Sequence, residues 1–196
     1  MSAQYSIQKF LITVLLFAIV NVGKSQEDPI IDSLKKALVT SKDTSRLLTL
    51  SCLIENLPNE NDWVEYNKEM GALSIDLFKK TKDPVLKIKV AKYIGDYFNG
   101  LAYLDQVKAN HKAALINYEK GLKIKRILND KAGVSVTLAN IGTLYGDESN
   151  QTLALDYLYE SLRISEELKY DDGSVSTLNN IANIFSEQKQ YSKARA

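Results

Sequence analysis

The stretch GVSVTLANIGTLY, residues 133–145, is answered by GSVSTLNNIANIF, residues 173–185. Gly133, Thr137, Leu138, Asn140 and Ile141 return as Gly173, Thr177, Leu178, Asn180 and Ile181, each 40 residues on. Outward from it, the same interval relates Ala114-Leu115 to Ala154-Leu155, Leu122 to Leu162, Ile124 to Ile164 and Leu128 to Leu168. A fixed period of this size marks stacked supersecondary units rather than one closed globule. Such arrays present extended surfaces to partners. The repeat therefore points to a binding protein without naming what it binds.

Around the repeat the chain reads as helix after helix. Asp28-Pro29 opens the first, with Ile30, Ile31, Leu34 and Leu38 as its apolar stripe. A second helix is expected over about residues 44–57, turning Leu47, Leu50 and Ile54 inward, until Pro58 breaks it. Further helices are expected over about 63–80, 85–104, 111–128, 135–145, 152–168 and 174–187, with 130–133 read as a turn. Short polar connections imply antiparallel neighbours.

At these residues the chain resembles the tetratricopeptide repeat family. Leu138, Ile141, Gly142 and Tyr145 match the first-helix pattern of a large residue, leucine-glycine and an aromatic, and Ala154, Leu158 and Ser161 match the second helix. Ala91, Ile94, Gly95 and Phe98 followed by Ala114, Tyr118 and Gly121 are taken as the preceding copy. Leu178, Ile181, Ala182 and Phe185 leading to Ala194 are taken as the following one. Small residues allow two helices to cross closely, and Tyr145 and Phe185 are expected to fill the wedge between hairpins. The resemblance implies an all-α fold of antiparallel helix hairpins stacked in a right-handed solenoid. It is clear over 85–196 and loose over 44–80, where Ala72-Leu73-Ser74-Ile75 suggests a degenerate first repeat within an N-terminal helical segment, 26–84. The period is 40 rather than 34, and no proline closes the second helix; a longer hairpin closed by Gly133 or Gly173 accounts for both. Segment 99–112 reads as about seven residues longer than its counterpart, and a HEAT-like stack of similar period is the alternative architecture.

Residues 1–25 read as a signal peptide: Lys9, the apolar run FLITVLLFAIV over 10–20, then Gly23 and Ser25 for cleavage before Gln26. The run is shorter than the roughly 20 residues that span a bilayer. A periplasmic or secreted location is expected, with an uncleaved inner-membrane anchor as the alternative. AIVNVGKS, residues 18–25, imitates a phosphate-binding loop, but its branched apolar interior and the absence of alternating strands and helices downstream argue against nucleotide. The formal charge is +1 over the whole chain; without Lys9 and Lys24 it is 23 basic against 24 acidic side chains. No single-sign field exists to attract nucleic acid or an anionic membrane, and Lys120, Lys123, Lys125 and Arg126 read as a solvated helix face.

A screen for chemistry finds nothing that catalyses and no cofactor or metal set. Cys52 and His111 are the chain's single cysteine and single histidine, which excludes an internal disulfide and a Cys/His metal cluster. His111 reads as a solvent-exposed cap, and Asp147-Glu148 and Asp171-Asp172 as turn residues. What remains is a surface. In tetratricopeptide folds the first helix of each hairpin lines the concave face, and the resemblance places Lys92, Asp96, Asn99, Thr143, Asn179 and Asn183 on it. A groove of amides with few charges suits an extended peptide held through its main chain; simple solvation of the face is the bland alternative. Asn140 and Asn180 are expected to bond neighbouring backbone.

Two functions follow. One is an exported scaffold that binds a protein or extended peptide. The other is the N-terminal sensory part of a longer signalling enzyme, since the repeats behind a signal peptide and IDSLKKAL resemble extracytoplasmic regions of Bacteroidetes-type histidine kinases and nucleotide cyclases. The last repeat is read as cut short, with Ala194 opening its second helix. Ile181 and Phe185 are then expected to lie uncovered, open to self-association with a second copy.

Overall fold

A computed structural model describes residues 28–194. Every element in it is an α-helix: α1 Pro29–Thr40, α2 Asp43–Asn56, α3 Glu60–Lys80, α4 Pro84–Val107, α5 His111–Ile127, α6 Lys131–Asp147, α7 Gln151–Leu168 and α8 Asp171–Ala194. Side-chain oxygens one residue ahead of five helices receive their first free N–H groups. Asp28 accepts from Ile30, Asn59 from Asn61, Asp83 from Val85, Asp130 from Gly133 and Asn150 from Leu153. Pro29 and Pro84 supply the pre-set φ and missing donor suited to a first turn.

The helix ends correct the sequence reading. α6 begins at Lys131, so Gly133 and Gly173 lie in the first turns of α6 and α8 and close no hairpin. The closing residues are Ala109, Asn129, Ser149 and Lys169, all left-handed with φ of 54° to 60°. Each donates its N–H three residues back, and the next residue donates five back: Asn110 to Asp105, Asp130 to Lys125, Asn150 to Tyr145 and Tyr170 to Ser165. These paired bonds satisfy otherwise orphaned carbonyls in the Schellman arrangement. The four turns recur every 20 residues, two per 40-residue unit. By contrast Ser41, Leu57 and Thr81 end α1, α2 and α3 in extended conformation, so the regular spacing starts with α4.

The unit length is also constant through 99–112. Gly121 lies against the Gly95 carbonyl, 3.1 Å from where its Cβ would be. Forty residues on, Ser161 donates to the Ser135 carbonyl at 2.8 Å. Gly95 therefore corresponds to Ser135, and the counterparts of Leu138, Ile141, Gly142 and Tyr145 are Phe98, Leu101, Ala102 and Asp105. The expected set Ala91, Ile94, Gly95 and Phe98 is out of register by seven residues, and no insertion exists.

Packing follows chain order. Each helix packs on its sequence neighbours, and the further contacts join α2 to α4, α4 to α6 and α6 to α8. Among the described residues α3, α5 and α7 make no comparable contact with one another. α6 and α7 run antiparallel: Gly142 faces Ala154 and Leu158, while Ser135 meets Ser161 and Ser165. The apolar core has three segments, around Leu47, Leu50, Met70 and Val90, around Tyr118, Leu138, Ile141 and Leu144, and around Leu158, Ile181 and Ile184. As expected, Leu47 and Leu50 are fully buried. Ile31 is buried in α1 while Ile30 is exposed.

A polar seam runs beside the second segment. Ser135 Oγ lies 2.6 Å from Ser165 Oγ and 3.0 Å from Ser161 Oγ, and Ser161 Oγ is 3.2 Å from Thr177 Oγ1. All four residues are almost fully buried and satisfied.

α8 differs from expectation. It continues to Ala194, so Ala194 ends this helix and does not open another. Ile181 is buried at 7% exposure against Ala154 and Leu158, because α7 already covers it. Val175, Leu178 and Phe185 are exposed.

Candidate groove over the fourth helix

α4 carries Lys92, Asp96, Asn99 and Tyr103 at i, i+4, i+7 and i+11, one stripe along its axis. The stripe forms the base of an open groove of about 480 Å³ walled by Ser51, Ile54 and Glu55 of α2 and by Ala132, Val136 and Asn140 of α6. Trp63, Lys125, Asp130 and Tyr170 also line it. Three of the six expected surface residues, Lys92, Asp96 and Asn99, are thus brought together here.

Their chemistry differs from the expected row of free amides. Asp96 is bonded to the ammonium of Lys125, a residue only 4% exposed. Lys125 is consequently not part of a solvated basic face. It enters the space that Ser165 fills 40 residues later, where the serine seam needs no charge. A buried ammonium is tolerable only with a carboxylate against it, and Asp96 stands where the next unit has Val136. Asn99 is committed too. The Thr137 hydroxyl donates to the Gly133 carbonyl at 2.8 Å, so its oxygen can only accept, and Asn99 Nδ2 donates to it at 2.8 Å. That fixes the amide orientation and turns Asn99 Oδ1 against Gly121, buried without a hydrogen-bond donor. Asn99 ties α4 to α6, and its acceptor does not reach the groove. Lys92 is exposed at the rim.

The groove is polar at one end and aromatic at the other. Tyr93 lies beneath the polar end; burial pushes its phenol up, and the Asp96, Cys52 and Glu55 negative charges add to the effect. At the opposite end the Trp63 and Tyr103 rings pack at 5.9 Å between centroids. Trp63, Tyr103, Lys125 and Val136 were missed as groove residues. With the correct register, the replacement of Val136 and Ser165 by Asp96 and Lys125 is a signal readable from the sequence. Trp63 has no such signal, because α3 lies outside the regular repeat.

The other expected residues lie elsewhere. Thr143 and Asn183 line a smaller cleft of about 300 Å³ between α6 and α8. Thr143 donates to the Ala139 carbonyl at 3.0 Å and accepts from Asn180 Nδ2 at 3.3 Å. Asn180 therefore bridges to a hydroxyl rather than to the expected backbone. Asn179 is exposed and borders neither cleft. His111 is not a free cap: Asn110 precedes it as N-cap, and its Nδ1 lies 3.4 Å from Glu148 Oε1. Asp147 accepts from Gln106 Nε2 at 2.6 Å, so the acidic pair 147–148 clamps α4 and α5 to the end of α6.

A third cleft, about 620 Å³, lies between α5 and α7 over Leu122, Ile141, Leu153 and Tyr157. Its rim charges satisfy one another in part, Arg126 reaching Glu160 at 3.5 Å. Among the described residues no group of three or more His, Cys, Asp or Glu side chains is placed to hold a metal ion. None of the described helices is long and apolar enough to cross a membrane. No family model matches the chain, and no curated protein matches it significantly.

Proposed function

We propose that this chain is an exported, non-catalytic scaffold of the tetratricopeptide kind. Its antiparallel hairpins stack in a right-handed solenoid whose inner row is α2, α4, α6 and α8, and that row binds an extended peptide. The observation that carries the reading is the one-sidedness of the stack: among the described residues the backbones of alternate helices approach closely only along this row, and the groove with exposed aromatic and charged groups lies on it. Contact on one row and separation on the other is what a curved array of hairpins requires, and curvature makes the inner row a binding surface. In the corrected register Phe98-Leu101-Ala102, Leu138-Ile141-Gly142 and Leu178-Ile181-Ala182 keep the family's large, branched and small positions. The export component rests on residues 1–25, outside the described residues.

Peptide selection by phage display on the purified mature chain tests this, with Val136→Arg as counter-target. Val136 is 40% exposed, so arginine there obstructs the groove without emptying the core. Selected peptides are expected to perturb the emission of Trp63, the chain's one tryptophan, and to bind V136R at least about tenfold more weakly. Undiminished binding to V136R would overturn the proposal.

A further inference from the structure

We propose that the groove over α4 selects a peptide carrying a basic side chain about three residues from an aromatic or large apolar one. This rests on the peptide-binding reading above and specifies its partner. The first support is the charge that a ligand can reach. Glu55, Asp96, Asp130, Lys92 and Lys125 line the groove. Lys125 is turned inward with only 4% of its surface exposed, whereas the Asp96 side chain is 29% exposed. Asp96 and Lys125 neutralise each other, so a ligand meets the Glu55 and Asp130 carboxylates and, at the rim, the one exposed ammonium of Lys92, a net charge of −1. Lysine stems extend readily into water, so the field at this end favours a cation.

The second support is the opposite end, where Trp63 is buried behind Tyr103, itself 44% exposed. Exposed aromatic surface takes an aromatic or large aliphatic side chain. The third is distance. Asp96 and Tyr103 lie on one face of α4 seven residues apart, about 10.5 Å at 1.5 Å per residue. A polyproline-type segment places residues i and i+3 on one side about 9 Å apart. An Arg-x-x-Phe spacing, in either chain direction, spans the groove.

The test uses capped peptides of about ten residues, built from serine and glycine around Arg-Ser-Ser-Phe or Phe-Ser-Ser-Arg. Parallel sets carry Glu or Ser in place of Arg, and Trp63 emission is followed at low and moderate salt. The better Arg peptide is expected to bind at least about tenfold more tightly than its Glu counterpart, with the advantage shrinking as salt rises. Glu55→Gln, at an exposed position, should cut that advantage severalfold. Equal or tighter binding of the Glu peptides sinks the inference while peptide binding in the groove stands. A Trp63 signal from none of the peptides sinks both.

Discussion

Gly142 and Gly146 lie one turn apart on α6, and alanine at the two positions should act with opposite sign. A Cβ on Gly142 would sit 2.7 Å from Leu158 Cγ and 3.0 Å from the Ala154 carbonyl oxygen. Leu158 is fully buried, and the second obstacle is backbone, so relief requires α7 to move. Overpacking of this kind costs about 1–3 kcal/mol, against a helix-propensity gain of about 1 kcal/mol for replacing glycine. The net expectation for Gly142→Ala is a loss of up to about 2 kcal/mol. At Gly146 the nearest atom to the new Cβ is Ile184 Cδ1 at 4.0 Å, ordinary contact, so Gly146→Ala should gain about 0.5–1 kcal/mol. The gap of about 2 kcal/mol corresponds to roughly 4–8 °C in Tm for a chain of this size. Urea unfolding followed by far-ultraviolet circular dichroism and Trp63 emission reads it directly. If G142A were as stable as G146A, the close α6–α7 crossing would be refuted. Ala102, the counterpart of Gly142, shows the compensation: there the facing residue is Tyr118 rather than the branched Leu158.

Other expectations follow from the same contacts. Asp96→Asn, which leaves the Lys125 ammonium without its carboxylate, should cost about 2–3 kcal/mol, whereas the double change D96V/K125S, copying the next unit, should restore stability to within about 1 kcal/mol; a chemical-denaturation cycle measures both. Ala109→Gly should stabilise by about 0.5–1 kcal/mol in thermal melts, because Ala109 sits at φ 56° where a side chain is penalised. Tyr118, Tyr93 and Tyr145 all have phenols pushed up by burial. Their folded values lie above the unfolded value near pH 10. The stability this represents is complete below pH 10 and is lost as pH rises through the window toward the folded values, at up to about 1.4 kcal/mol per pH unit for each tyrosine. Tyr118→Phe should therefore flatten the fall in Tm between about pH 10 and 11; an unchanged slope would show that Tyr118 ionises normally. Intact mass of exported protein should match a chain beginning at Gln26, and retention of Met1 in a membrane pellet would instead identify an anchor.

Helix type and the 40-residue unit were legible in the sequence because apolar spacing and small residues repeat where helices cross, as at Gly142, Ala154 and Ser161. The register of the preceding unit was not. Matching Gly95 to Gly142 follows residue identity, but the physical counterpart is Ser135: glycine and serine both permit close approach, and identity cannot distinguish the two roles. The turn-closing residues were missed for a related reason. Glycine is the expected left-handed residue, yet Ala109, Ser149 and Lys169 hold that conformation through the paired hydrogen bonds around them. Lys125 shows where a charge pattern misleads. Its neighbours in sequence are basic and exposed, but the fold turns its ammonium inward to Asp96 across 29 residues. The stripe of positions 92, 96 and 99 on α4 was legible from their helical spacing. Their availability was not, since a hydrogen-bond partner such as Thr137 for Asn99 is known only once α6 is placed.

Peptide binding over α4 is the central claim, and amide chemical-shift mapping of the mature chain with a phage-selected peptide tests it most directly. Saturable shifts should cluster at Trp63, Asp96, Tyr103, Val136 and Asn140 along the groove. A cluster instead at Leu122, Arg126, Leu153 and Tyr157, lining the cleft between α5 and α7, would place binding on the opposite row and contradict the account.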